Sequence, residues 1–474
     1  MDEIWLLLLH VRADVTLAVG SLITVIVTLH ILLRKREVAS AVGWIGLVWF
    51  APFLGAITYL MFGINRVKRR ARQARPQDDS PDDQPSHALV GAGSNLAPLE
   101  RGIGRITGRP LMAGTTTSIY HDGDEAYPLM LAAIDAAKRS VSMSSYIFRD
   151  DLWGGRFIEA LVAAKRRGVT VRVLIDGIGG GWLLSRAYHR LRRAGVTSAR
   201  FMHSLLPWRM PFINLRSHKK ILVVDGSVGF TGGLNVGDEN VLATHPKAPV
   251  QDLHFRFEGP IVSQLADAFV RDWAFVANEV LDEGDLSPGM PQSEGSLARV
   301  IDSGPDEDLE KVEFAVLQAV ACAHESIAVM SPYFLPDEAL ITALVLAAMR
   351  GVEIDIVIPE KSNHALVDWG TRANVGPLLT EGVRIWQSPS PFHHSKVMVV
   401  DKQWCLIGSC NWDIRSFRLN FELCVEVYDR GLAKLLSTGM LGCRGKPLME
   451  ADLAARSLLV QIRDAGARLM LPYL

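Results

Sequence analysis

Two copies of one short pattern hold the residues that could do chemistry. The first runs His218-Lys219-Lys220-Ile221-Leu222-Val223-Val224-Asp225 and continues to Gly232-Gly233-Leu234-Asn235. The second runs His394-Ser395-Lys396-Val397-Met398-Val399-Val400-Asp401 and continues to Gly408-Ser409-Cys410-Asn411. Both fit His-x-Lys-x4-Asp-x6-Gly-(Gly/Ser)-x-Asn. On a strand alternate side chains share a face, so the His and Lys of each copy point the same way. A glycine turn lets backbone come close and aims the Asn amide inward. Brought together, the copies place two imidazoles, two ammonium groups and two carboxamides in one pocket. That set suits a phosphate ester. Lys220, Asn235, Lys396 and Asn411 would hold the non-bridging oxygens and stabilise the charge of a five-coordinate transition state. One histidine can attack phosphorus and form a covalent intermediate. The other can protonate the leaving alcohol and then deprotonate the incoming one. This design requires no metal and no other cofactor. Each imidazole also needs an acceptor on its second nitrogen. Asp252 and Glu422, soon after the two Asn residues and at the starts of predicted strands, are the expected partners. Asp225 and Asp401 complete the catalytic set; they are expected to brace the motif strands without touching substrate.

The elements around the motifs repeat as well. Asp124–Lys138 has helical spacing, Val141–Phe148 reads as a strand, Arg156–Arg167 as a helix and Val169–Ile175 as a strand. About 180 residues later the order recurs. Glu307–Ala323 is a helix, Ser326–Phe334 a strand, Glu338–Met349 a helix and Val352–Ile358 a strand. Such alternation predicts βαβ units in an α/β sandwich. The period is too long for a solenoid and predicts two similar halves, 111–290 and 291–474, sharing one catalytic unit.

The 474-residue chain has 49% hydrophobic residues, 21% charged residues and a net charge of −1. That composition excludes a disordered chain and leaves no global field to attract nucleic acid. The mean hydropathy of +0.17 is high for a soluble protein, and the excess lies near the N-terminus. Val15–Leu33 and Ala39–Phe62 are uncharged runs of 19 and 24 residues. Each is long enough for a membrane-spanning helix, with Pro52 expected to kink the second. Together they predict a hairpin anchor within 1–75. Arg66, Lys68, Arg69, Arg70, Arg72 and Arg75 follow it, and with Arg12 they outnumber the three basic residues of the hairpin loop. The positive-inside rule then places the large C-terminal part in the cytoplasm. A Pro- and Asp-rich linker is expected over 76–110. The odd count of five cysteines, with no Cys-x-x-Cys, fits reduced thiols. Arg186–Lys220 holds nine basic residues and no acid, interleaved with Leu205-Leu206-Pro207-Trp208. That mixture suits an anionic lipid surface.

With these features in view, the chain resembles the phospholipase D superfamily and, more closely, bacterial-type cardiolipin synthases. The likeness rests on the paired motifs and on several flanking segments. These are Tyr59-Leu60-Met61-Phe62-Gly63, Tyr146-Ile147-Phe148, Asn214-Leu215-Arg216-Ser217, Gly229-Phe230-Thr231, Asn411-Trp412-Asp413-Ile414-Arg415-Ser416 and Asn420-Phe421-Glu422. The resemblance implies a membrane hairpin followed by a duplicated αβα sandwich with mixed sheets. It implies a multi-pass protein of the bacterial inner membrane with phosphatidylglycerol as substrate and no nucleic-acid partner. Two phosphatidylglycerol molecules would give cardiolipin and glycerol, with His218 as nucleophile and His394 as proton shuttle. Hydrolysis to phosphatidic acid is the alternative in the same chemical class; a nucleic-acid phosphodiesterase and a catalytically dead scaffold are the others. Lys219 stands where such relatives often carry Arg, and Pro389-Ser390-Pro391-Phe392 is an unusual approach to His394.

Overall fold

The computed structural model describes residues 2–34, 38–63, 95–203, 215–277, 279, 295–305 and 308–469. The polybasic run at 66–75, most of the expected linker and the Trp208 segment lie outside the described residues.

The described residues 2–34 and 38–63 belong to one compact unit. Its first helix, Asp2–Arg34, begins well before the predicted span because apolar Ile4–Leu9 continues the helical run. Among the described residues, Val11–Arg34 is the one helix long and apolar enough to cross a bilayer unbroken. The second predicted span is not one helix. It forms Val38–Phe50, then Pro52–Thr58, then a wider turn over Tyr59–Gly63. The cause is Pro52, which cannot donate to the preceding turn and leaves Ala51 extended at φ −143°. Gly55 is required beside this break: a Cβ there would sit 2.8 Å from the Leu47 carbonyl oxygen. His30 Nδ1 and the Tyr59 hydroxyl, 2.8 Å apart, tie the two segments together.

The second unit holds both motif copies. The first half supplies β1 (Met112–His121), β2 (Ser140–Ser145), β3 (Thr170–Asp176), β4 (Thr197–Phe201), β5 (Ile221–Val224), β6 (Val228–Gly232) and β7 (Leu253–Glu258). The second supplies β8 (Ser296–Ser303), β9 (Ser326–Met330), β10 (Glu353–Pro359), β11 (Arg384–Ser388), β12 (Val397–Val400), β13 (Trp404–Gly408) and β14 (Asn420–Tyr428). They join one mixed sheet in the order β11-β10-β9-β12-β13-β14-β8-β1-β7-β6-β5-β2-β3-β4. Read outward from the β8–β1 seam, both halves have the same strand order. In each, the outer three strands are parallel and the rest antiparallel.

The motif strands β5 and β12 are buried along their whole length, which explains their unbroken apolar runs. Leu222 and Val224 enter a core with helices Asp122–Ala136 and Leu152–Arg166, while Ile221 and Val223 alternate to the face that helix Ile261–Ala277 packs on. Met398 and Val400 do the same in a second core built on helices Lys311–Cys322 and Glu338–Met349. Each such side chain contributes about 1.5–3 kcal/mol on burial. Part of the expected linker is structured: Ala97–Thr107 is a helix whose Leu99 and Ile103 join the second core. The C-terminal helix Leu458–Leu469 buries Asp464 and Ala467 and leaves Leu458, Leu459 and Ile462 exposed.

Lys219 fastens the two halves. Its ammonium meets Asp272 of the first half at 2.9 Å and Asp302 on β8 of the second at 2.6 Å. Burial alone would lower its pKa; the two carboxylates outweigh that and hold it above the usual lysine value. Lys219→Met leaves both acids buried without their cation, so we expect a loss of about 3–5 kcal/mol of stability. Urea unfolding checks this, and an unchanged midpoint would contradict it.

Candidate active site

The shared strand order brings the two motifs face to face. His218 precedes β5 and His394 precedes β12, and the ring centroids are 6.4 Å apart at 81°. Each histidine is anchored by the opposite half. The His218 amide donates to the Phe421 carbonyl at 2.8 Å, and the His394 amide donates to the Gln251 carbonyl at 2.7 Å. The side chains cross over in the same way. His394 Nδ1 lies 2.8 Å from Asp252 Oδ2. His218 Nδ1 lies 3.1 Å from Glu422 Oε2 and 2.9 Å from the Ser409 carbonyl oxygen. Asp252 and Glu422 are thus next to the histidines as expected, each serving the histidine of the other half. Lys396 Nζ also lies 2.9 Å from His394 Nδ1, but a nitrogen that donates to a carboxylate cannot accept from an ammonium. We place the proton on Nδ1 towards Asp252, with Lys396 donating to the His394 carbonyl instead. Nε2 of each ring is then left for the cavity.

The Gly-(Gly/Ser)-x-Asn turns explain why the two carboxylates differ. A Cβ at Gly233 would lie 2.1 Å from Asp252 Oδ1, so only glycine lets that carboxylate reach His394. Ser409 holds the equivalent place in the second half, and its hydroxyl donates to Glu422. Asn235 and Asn411 end these turns and line the cavity with both histidines. The Asn235 Oδ1 accepts from the Ile147 amide at 3.2 Å, while Asn411 Nδ2 donates to the Ser416 hydroxyl at 3.3 Å.

The cavity has a volume of about 1050 Å³. Lys220 and Lys396 are buried close in sequence to the cavity-lining histidines and do not themselves line the cavity. Lys220 donates to the His218 carbonyl at 2.7 Å, and its ammonium lies 5.5 Å from the centre of the Tyr146 ring. Asp225 and Asp401 do not line the cavity. Both sit in left-handed turns, at φ 51° and 50°. Asp225 accepts from the amides of Lys138, Arg139 and Ser140, and Asp401 from those of His324, Glu325 and Ser326. They fix the start of β2 and of β9 against the motif strand beside it, a positioning place and not a contact with the reacting groups.

Burial first, and then the charges of Lys220 and Lys396, hold His218 well below the ordinary imidazole value. Burial and Lys396 bring His394 down to about 3. Both rings are therefore neutral at neutral pH, with a lone pair on Nε2. Burial would raise Asp252, but the hydrogen bond from His394 and the charge of Lys396 outweigh it and bring it to about 2. At Glu422 burial prevails and lifts the carboxyl to about 7, despite Lys220, Ser409 and Asn420. Burial and the charge of Lys396 lower Lys220 to about 7, and burial lowers Lys396 to about 8. The two lysines carry charge below these values and lose it above them. We therefore expect kcat/KM to fall as pH rises through about 7 to 8, tenfold per unit while one lysine titrates. A profile flat to pH 10 would contradict this.

Several cavity residues lie outside the two motifs, in flanking segments to which the motif pattern assigns no role. Tyr146 meets the His218 ring edge-on at 5.0 Å, and Phe392 lies 5.8 Å from His394. Arg216 and Arg415 also line the cavity. Arg216 could have been found by the period of two, since it lies two residues before His218 on one extended segment. The basic tract Arg186–Lys220 is partly structural. Arg190 pairs with Asp150 and Glu159, Arg200 donates to the carbonyls of Gly177 and Trp182, and Lys219 is buried.

The family model described as cardiolipin synthase, PLD-like domain matches residues 130–273 and 316–441, one segment in each half. A phospholipase D-nuclease N-terminal model matches 22–63. The chain is 33% identical to a cardiolipin synthase of Geobacillus kaustophilus, over 95% of this chain and 92% of that protein. It is 33% identical to cardiolipin synthase A of Pseudomonas aeruginosa, over 86% and 85%. Among solved structures it is similar to phosphatidylserine synthase of Haemophilus influenzae. The TM-score is 0.61 and the identity 14%, covering 80% of this chain and 100% of that one, a likeness of fold. With one family-model segment on each motif-bearing half and a relative 33% identical over 95% of the chain, the chain belongs to the cardiolipin synthase, PLD-like domain family of the phospholipase D superfamily.

Proposed function

We propose that the protein is a membrane-bound phosphatidyltransferase that makes cardiolipin and glycerol from two phosphatidylglycerol molecules. The observation that carries this reading is the crossed site: two neutral histidines face one cavity, each held by a carboxylate of the other half. His218 Nε2 attacks the phosphorus of the first lipid, and the bond from phosphorus to the headgroup glycerol oxygen breaks. His394, protonated in the lipid-bound site because the bound phosphodiester offsets the lysine charge, gives its proton to the departing glycerol. The hydroxyl of a second phosphatidylglycerol then attacks the phosphatidyl-histidine, returns a proton to His394 and frees His218. Lys220, Lys396, Asn235 and Asn411 hold the non-bridging oxygens through both steps.

The assignment of roles has support in the two carboxylates. A histidine that must become an imidazolium gains most from an ionised partner, and Asp252 stays ionised to about pH 2. Glu422, lifted to about 7, suits a ring that must stay neutral to attack.

The rest of the reading follows from the sequence. Residues 1–75 are a two-pass anchor in the bacterial inner membrane, the chain from 76 up to the core helix Ala97–Thr107 connects it to the catalytic part, and the halves 111–290 and 291–474 work on the cytoplasmic face. The partners are phospholipids, not nucleic acid. The purified full chain, given phosphatidylglycerol in detergent or lipid, is expected to release cardiolipin and glycerol in equal amounts. Phosphatidic acid without cardiolipin would contradict the transferase and point to hydrolysis.

A further inference from the structure

The cavity breaks the symmetry of the two halves in charge. Phe392 precedes His394 by two residues, and the matching place before His218 is Arg216. Four residues after Asn235 stands Glu239, and four after Asn411 stands Arg415. Glu239 is taken up by Arg149 at 2.8 Å. Arg216 and Arg415, one from each half, line the cavity wall with Tyr146.

Their placement is fixed by backbone. Arg216 and Ser217 pair in parallel with Asn420 and Phe421 of β14, so Arg216 stands opposite Asn420, another cavity residue. Arg415 sits in the short helix Ile414–Arg418, capped by Asp413, whose carboxylate accepts from the Ser416 amide. The nearby carboxylate of Asp176 accepts from the amides of Ile178, Gly179 and Ser217. Burial first, and then the charge of Arg216, lower the pKa of Arg415, against the charges of Asp413 and Asp176, which raise it. Two guanidiniums thus share one concave wall with the carboxylate of Asp413, in the cavity that both histidines face. Like charges gathered in a cavity favour an anion between them, and guanidinium matches the two free oxygens of a phosphodiester.

We propose that Arg216 and Arg415 bind the second phosphodiester, the one that the acceptor phosphatidylglycerol brings with it. This rests on the transferase reading above and deepens it. The acceptor's reactive hydroxyl and its own phosphate are separated by the length of one glycerol. The lysine site holds the phosphate being transferred, and the arginine wall holds the phosphate that is not. A water molecule or free glycerol lacks that handle, so the arginines favour synthesis of cardiolipin over hydrolysis or glycerol exchange.

The test compares two reactions of the same enzyme: cardiolipin formation from phosphatidylglycerol, and exchange of labelled free glycerol into phosphatidylglycerol. Both need the donor phosphate and both histidines, but only the first uses an acceptor with a phosphate. In Arg216→Gln and in Arg415→Gln the ratio of cardiolipin formation to exchange is expected to fall about tenfold or more. The lysine variants, which keep the charge and lose the fork, are expected to lie between. Because each ratio is measured within one preparation, partial unfolding leaves it unchanged. If a Gln variant is inert in both reactions, the ratio in the matching Lys variant decides. A ratio equal to wild type overturns the acceptor site while leaving the transferase reading standing. A wild-type enzyme that does neither reaction overturns the transferase reading and the acceptor site with it.

Discussion

His218→Ala is expected to lower cardiolipin formation by about 10⁴-fold or more, and His394→Ala by about 10²–10⁴-fold. The first removes the atom that bonds to phosphorus. The second removes the group that protonates glycerol and accepts the proton of the incoming lipid. Neither loss can be covered by the remaining histidine, because each ring is held from the opposite half and lines the cavity from its own side. Turnover of the purified variants, with circular dichroism to check the fold, is the measurement. Near-normal activity in either folded variant would rule out the two-histidine chemistry.

The second large effect separates the two carboxylates. Asp252→Asn is expected to cost on the order of 10³–10⁴-fold in kcat, as loss of an orienting carboxylate allows the wrong tautomer and leaves the imidazolium without a counter-charge. Among the described residues Asp252 is the one carboxylate hydrogen-bonded to His394, and both side chains are buried. Glu422→Gln is expected to cost far less, about tenfold. His218 Nδ1 keeps the Ser409 carbonyl as acceptor at 2.9 Å, and Glu422 is already half-neutral near pH 7. Steady-state kinetics on both variants checks the order; a larger loss from Glu422→Gln would contradict it. An activity loss at Asp252 that tracked a loss of stability would make it a packing residue only.

Much of this site could be read from the residues alone. The duplicated pattern pointed to both histidines and both asparagines, which the fold brings to one cavity, and to both lysines, which it buries beside the histidines in sequence. The carboxylates Asp252 and Glu422 were accessible through their matching places in the two halves. Their crossed pairing was not, since local sequence order does not say which half a side chain reaches into. Lys219 looked incidental in sequence, and its value as the tie between Asp272 and Asp302 needs two carboxylates from distant elements. The helix Ala97–Thr107 was hidden by its acidic, proline-rich neighbours, although Leu96, Leu99 and Ile103 already mark one helical face. Pro52 was visible as a kink, but the full break follows from its lost hydrogen bond together with the extended Ala51.

The central claim is a two-step transfer through a covalent histidine in a site built by both halves. Rapid acid-free quenching of the full chain with phosphatidylglycerol labelled in the phosphatidyl group tests it most directly, since phosphohistidine survives base and not acid. The account predicts label on His218, at no more than one phosphatidyl group per chain, retained in His394→Ala and absent in His218→Ala. Label on neither histidine, with cardiolipin still forming, would contradict it.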